Sequence, residues 1–176
     1  NSKFKIINIT NRVETILRKN NFLVDLGYGT IVDNYSTSLK YKRFAPNDDE
    51  GFNGYIKDHL LSKTDFPMLS QPLYKEILRN IFEIYENART HGKCEYIHTC
   101  GQFFPRKPNK PLHFTVVDKG INIKENVSNF LKYTINGSDA IEWAMIKGNT
   151  TKVDASGGLG LAVIFEFIKL NRGKIQ

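Results

Sequence analysis

Residues 81–92, IFEIYENARTHG, set a Glu, an Asn and a His four positions apart inside an apolar run. In a helix this spacing puts Glu83, Asn87 and His91 on one line. At about 100° per residue, Glu76 and Asn80 join them within an arc of roughly 80°. Ile77, Ile81, Ile84, Tyr85 and Ala88 fill the opposite half. An ordinary amphipathic helix would carry such a stripe too, so the stripe gains meaning only from its surroundings.

Pro67 and Pro72 punctuate the chain before this helix, which is expected over 71–91 and closed by Gly92 as a C-terminal cap. Two strands are expected next, near 94–103 and 112–118, joined by the Pro- and Lys-containing loop FFPRKPNKP. Asp118 ends the second strand. A helix is expected around 124–134, and another in SDAIEWAMIKG with Ser138 or Asp139 as N-cap. The polar stretch NTTKVDAS then leads to GGLGL, which opens a last helix, AVIFEFIKLN, closed by Gly173. Upstream, FKIINI (4–9), GTIVD and SLKYKRF read as strands and TNRVETILRKNNF as a short helix. DDEGFNGYIKDHLL reads as a helix with Phe52, Ile56 and Leu60 on one face and acidic residues at its positive end.

Three places along this order could share one chemistry. A Glu can act as general base toward water or a hydroxyl, and an Asn carbonyl one turn on is a neutral hard-oxygen ligand suited to Mg²⁺. Gly157, Gly158 and Gly160 let backbone N–H groups approach a phosphate chain at the positive end of a helix. Asp118 at a strand end can accept a hydrogen bond from an exocyclic amine, and Gly120 leaves room for a flat base. Taken alone, the glycines read equally well as tight turns and DKG as a plain turn.

The ordered set E-x-x-x-N-A-x-x-H-G, D-x-G after two strands, and GGLGL opening a helix resembles the GHKL ATPase superfamily of gyrase, heat-shock chaperone, histidine kinase and MutL proteins. FEIYENARTHG is most similar to the N-box of the anti-sigma-factor serine kinase branch. The resemblance spans about 71–175. It implies an α/β fold, a two-layer α/β sandwich with a mixed sheet (the Bergerat-type ATP-binding fold) truncated at the C-terminus. It implies ATP and Mg²⁺ as cofactors, Glu83 as general base and Asn87 as Mg²⁺ ligand. Asp118 would read the adenine amino group beside Gly120. Gly157, Gly158, Leu159 and Gly160 would lie over the phosphates, with Thr150 and Thr151 in the lid before them. His91 lies near the pocket. Asn122 replaces the last glycine of the usual D-x-G-x-G box, and the family's final strands would follow Gly173. The implied function is a regulatory ATPase or protein kinase with a protein partner; the alternative is a non-hydrolysing nucleotide-sensing module.

Composition sets the outer bounds. The chain of 176 residues suits one well-buried domain, with 1–70 an α/β segment packed on the ATP-binding domain 71–176. No apolar run approaches the roughly 18 residues a membrane span needs, which with the absence of a signal peptide points to a cytoplasmic protein. The formal charge of +7 suits an anionic partner. The basic residues are scattered and lack an interleaved aromatic platform, so nucleic-acid binding ranks low. Cys94, His98, Cys100 and His113 raise the thought of zinc, but CEYIHTC lacks the tight-turn ligand spacing of zinc sites, and core or surface roles are expected instead.

Overall fold

The computed structural model describes residues 6–63, 68–151 and 160–174. It is a mixed α/β chain. Its residues fall into two compact units, Asn1–Met68 with His98–Val117, and Leu69–Ile97 with Asp118–Gln176. One boundary therefore lies close to residue 70, while the strands that the sequence groups with the C-terminal domain cluster with the N-terminal segment. No helix among the described residues is long and apolar enough to cross a membrane.

The first unit is built on a three-stranded antiparallel sheet in the order β1–β2–β3. Its strands are β1 (Ser38–Phe44), β2 (Ile97–Phe103) and β3 (Leu112–Asp118). Among the described residues no parallel strand joins it, so the sheet seen here is antiparallel where a mixed one is expected. β2 and β3 form a hairpin whose loop is closed by Phe104 N–H donating to the Pro111 carbonyl at 3.0 Å. Two cations of that loop lie over aromatic rings, Lys107 on Phe104 and Arg106 on Tyr35, consistent with a solvated basic loop. Helix α1 (Asn11–Lys19) is capped by Thr10, and α2 (Asp49–Ile56), capped by Asp48, runs on into a π-helical turn over Lys57–Leu61.

Phe44, Phe52, Tyr55, Leu39 and Leu60 are buried in this unit. Phe44 packs edge-on against Phe52 and Tyr55, with centroids 5.4 and 5.6 Å apart. Two expected strands are absent here. Residues 6–9 are irregular, and residues 4 and 5 lie outside the described residues. GTIVD is irregular, and side chains tie both of its ends. Arg18 Nε donates to the Gly29 carbonyl at 2.7 Å, and Asp33 Oδ2 accepts from Ser38 N and Oγ at 2.7 and 2.6 Å.

Among the described residues the second unit holds four helices: α3 (Gln71–His91), α4 (Ile123–Leu131), α5 (Gly137–Met145) and α6 (Gly160–Leu170). Ser70 caps α3, and Pro72 stands in its first turn, where a missing N–H costs nothing. α5 begins earlier than expected. Asn136 rather than Ser138 or Asp139 is its N-cap, its Oδ1 accepting from Asp139 N at 2.9 Å. At the end of α6 the left-handed residue is Arg172, and Gly173 N donates to the Ile168 carbonyl at 2.8 Å. Tyr85, Ala88, Val127, Ala140 and Ile164 are buried here.

Tyr55 is a buried phenol whose hydroxyl donates to the Lys40 carbonyl at 2.7 Å, and burial pushes its pKa up to about 12. The unfolded phenol ionises near pH ~10. Between those values the unfolded chain has released a proton that the folded chain keeps, so stability falls as pH rises through this window. Tyr55→Phe should cost about 1 kcal/mol at neutral pH. It should also remove about 2–3 kcal/mol of the alkaline loss, measured by urea unfolding between pH 8 and 12.

Candidate functional site

Every expected site residue that the structure describes lies in the second unit. Of the stripe on α3, Asn80 is buried, and Glu83, Asn87 and His91 are half-buried. The solvated edge of the helix is instead tied along itself: Arg89 pairs with Glu86 at 2.6 Å, and Arg79 reaches Glu76 at 4.0 Å. Glu76, at the N-terminal end of the stripe, is exposed, and the line becomes partly enclosed from Asn80 onward.

The start of α6 meets that line. A Cβ added to Gly160 would stand 2.8 Å from Glu83 Oε2, 3.5 Å from Asn87 Nδ2 and 3.8 Å from Asn87 Oδ1. Glu83, Asn87 and the first residue of α6 thus converge. Among the described residues no hydrogen bond or ion pair engages the Glu83 carboxylate, and Asn87 Nδ2 is buried without a partner. A buried amide nitrogen left unpaired costs about 1–3 kcal/mol. Gly157, Gly158 and Leu159 lie outside the described residues.

A second cluster forms at the end of the same helix. Gly92 is the C-cap of α3 as expected, and with φ −70° and ψ −31° it is right-handed, so a left-handed turn is not what requires the glycine. Its lack of a side chain serves close approach. A Cβ at Gly92 would stand 2.5 Å from the Ala88 carbonyl and 2.8 Å from Asp118 Oδ1. A Cβ at Gly120 would stand 1.6 Å from the Gly92 carbonyl oxygen. That carbonyl accepts from Ile121 N at 2.6 Å, and Asp118 Oδ1 accepts from Gly120 N at 2.9 Å. The expected Asp118–Gly120 pair therefore sits against the last turn of α3. Glu83 and Gly92 are nine residues apart, about 13–14 Å along a helix axis.

Thr151 joins this end as well, its hydroxyl 3.0 Å from His91 Nδ1. Thr150, before it, is half-buried. Three residues not expected to act at the site pack around the cluster, and of these only Asn126 went unnoticed in the sequence. Asn126 Nδ2 donates to the carbonyls of His91 and Ile121 at 2.9 and 3.3 Å. Asn122 is the N-cap of α4, its Oδ1 accepting from Glu125 N at 2.9 Å. The pattern Asn122-x-x-Glu125 is a legible helix start. Cys94 points its thiol at the Ala88 carbonyl, 3.6 Å away, and burial, with the Asp118 charge adding, pushes its pKa up.

The two histidines of the His/Cys pattern have other contacts. In the first unit His98 Nδ1 lies 2.8 Å from the Tyr41 hydroxyl, and the His113 ring meets Phe104 edge-on. Among the described residues no group of three His, Cys, Asp or Glu is placed to hold a metal. No protein-family model, curated protein or solved structure matches the chain.

Gly120→Ala should destabilise the protein by about 3 kcal/mol or more, because the new methyl would overlap rigid backbone. Gly137→Ala, whose Cβ meets nothing within 4 Å, should change stability by less than about 1 kcal/mol. Thermal unfolding of the two variants side by side checks this. Equal midpoints would mean that the Gly92–Gly120 approach is not close.

Proposed function

We propose that the chain is an ATP-binding protein of the GHKL type, its nucleotide site in the second unit and its fold a Bergerat-type α/β sandwich. The observation that carries this reading is the convergence of Glu83 and Asn87 on Gly160 at the start of α6. The residues fit the ligands. Asn87 has a buried, unpartnered amide nitrogen, a donor that a phosphate oxygen would satisfy, Gly160 keeps open a space that any side chain would fill, and a helix N-terminus favours phosphate. Among the described residues Asp118 accepts its hydrogen bond from Gly120 N through Oδ1, which leaves Oδ2 available to a ligand.

Asn87 would hold Mg²⁺ through its side-chain oxygen, and Mg²⁺ when bound supplies neutralisation of phosphate charge. Asp118 orients the adenine by accepting from its amino group, with Gly120 beside the base. Glu83, free of a cationic partner, can accept a proton at Oε2 from the water or partner hydroxyl that attacks the γ-phosphate. Backbone N–H groups at the start of α6 face developing negative charge. On this reading the protein is a regulatory ATPase or protein kinase working with a protein partner. A non-hydrolysing nucleotide sensor is the second reading, favoured by the Thr151–His91 contact, which ties α3 to the segment before the glycines.

Calorimetry should find ATP binding that strengthens with Mg²⁺. Asp118→Asn should weaken it at least about tenfold, or 1.4 kcal/mol, with little change in melting temperature; unchanged affinity in a folded variant would remove the adenine assignment. Gly160→Ala should also weaken ATP while leaving stability nearly intact, since the atom it meets is the end of a flexible Glu side chain. Glu83→Gln should keep ATP and lose turnover. Turnover unaffected by that change would exclude Glu83 as base, and no turnover in the parent chain with or without partner would favour the sensor.

A further inference from the structure

The first unit contains a cavity of about 480 Å³ that the nucleotide reading does not use. It lies between the turn 33–38 and the segment 57–63, and is walled by Asp33, Tyr35, Lys40, Asp58, Lys63 and Phe103. Its volume is that of a site for a small organic molecule.

Its two ammonium groups set its character. Lys63 Nζ donates to the carbonyls of Ser36 and Ser38 at 2.5 and 3.1 Å, and Lys40 Nζ to the Lys19 carbonyl at 2.5 Å. Each has three N–H donors, so Lys63 keeps one and Lys40 two. Both side chains are half-buried, and among the described residues no carboxylate stands within ion-pair distance of either. Asp33 is the nearest anion in effect, but Ser38 occupies its Oδ2 twice. Burial pushes the Asp33 carboxyl up, and the Ser38 hydrogen bonds with the Lys19 and Lys40 charges outweigh it and hold the group below the ordinary value. Burial lowers the Lys63 pKa, Asp33 opposes this and Lys40 adds to it. Asp58 and His59 stand exposed at the rim, His59 against the Tyr55 ring.

Two half-buried cations share this cavity and retain unused donors, and the carboxylates described beside them are Asp33, whose Oδ2 Ser38 occupies, and Asp58 at the exposed rim. Tyr35, exposed in the cavity lining, supplies an aromatic side chain, which suits an organic rather than a bare inorganic anion. We propose that this cavity binds a small organic oxyanion, a phosphate or carboxylate on a compact apolar body, with Lys40 and Lys63 as its charge partners. The site is separate from the proposed nucleotide site and does not rest on it.

The test is a titration of the full chain with phenyl phosphate, phenylacetate and neutral benzyl alcohol at constant ionic strength, followed by amide NMR shifts. The expected result is saturable shifts confined to residues 33–40 and 57–63 for one or both anions, and none for benzyl alcohol. Which anion binds more tightly separates a phosphate from a carboxylate ligand. Lys40→Met and Lys63→Met should each weaken binding about tenfold or more. Lys63→Met also removes two hydrogen bonds from the 33–38 turn, so Lys63→Arg, which keeps the charge, should retain binding. Asp118→Asn should bind the anions as the parent does, whatever happens to ATP. Shifts that rise linearly, that spread over exposed lysines such as Lys75, Lys119 and Lys132, or that survive Lys40→Met would overturn the proposal.

Discussion

The second unit depends on the approach of two backbones at Gly92 and Gly120. A methyl group at Gly120 would stand 1.6 Å from the Gly92 carbonyl oxygen, and the same oxygen accepts from Ile121 N. A helix leaves its last carbonyls unpaired, and they must find donors elsewhere. Here the loop after β3 and the first turn of α4 supply them. Ile121 N serves Gly92, and Asn126 Nδ2 serves His91. The end of α3 and the segment 118–126 are thereby locked together, which places Asp118 relative to Asn87 without any contact between the two side chains.

α3 carries a second constraint along its length. From Asn80 onward its polar line is partly enclosed, and Asn80 and Asn87 each leave one buried amide atom unpaired, Oδ1 and Nδ2 respectively. Buried polar groups are ordinarily satisfied, and each exception calls for a reason. For Asn80 the structure supplies half of one, since its Nδ2 donates to the Glu76 carbonyl one turn back. For Asn87 none lies within the described residues, and its neighbours are a Glu without a partner and the glycine that starts α6. A solvated amphipathic face has no use for this arrangement. A polar ligand does, because it brings both the missing acceptor and charge for a helix N-terminus to offset.

Much of this was legible in the sequence, and the failures have physical causes. The spacing of Glu83, Asn87 and His91 gives one helix face, and α3 runs over the residues expected, Gln71–His91. What periodicity could not say is whether that face meets water or protein, because the wheel is the same in both cases. Gly92 was legible as a helix end but not for its reason: packing against Asp118 and Ala88 demands the missing side chain, and no left-handed turn does. GTIVD has strand composition, yet the Arg18 and Asp33 side chains tie its two ends, contacts that propensity does not register. The cavity of the first unit was not legible at all. Lys40 and Lys63 are 23 positions apart and only the packing of the 57–63 turn beside the 33–38 turn joins them.

Asn122 shows how a departure from a motif can be given a mechanism. The resembled family places a glycine there, and in this chain Asn122 stands in extended backbone, φ −77° and ψ 166°, as the N-cap of α4. Nothing in that conformation requires glycine. Asn and Gly both serve as N-caps, and exchanging Asn for Gly costs only a few tenths of a kcal/mol. The difference lies instead in freedom. Glycine would widen the backbone choices at the joint between the Asp118 loop and α4, whereas Asn122 removes them and adds a bond to Glu125 N. The loop that carries Asp118 is thus fastened at both ends, to α3 through Gly92 and to α4 through Asn122. On the proposed reading, any motion that couples nucleotide to a partner would arise outside this fastened loop, and the Thr151–His91 contact ties α3 to the segment before the glycines.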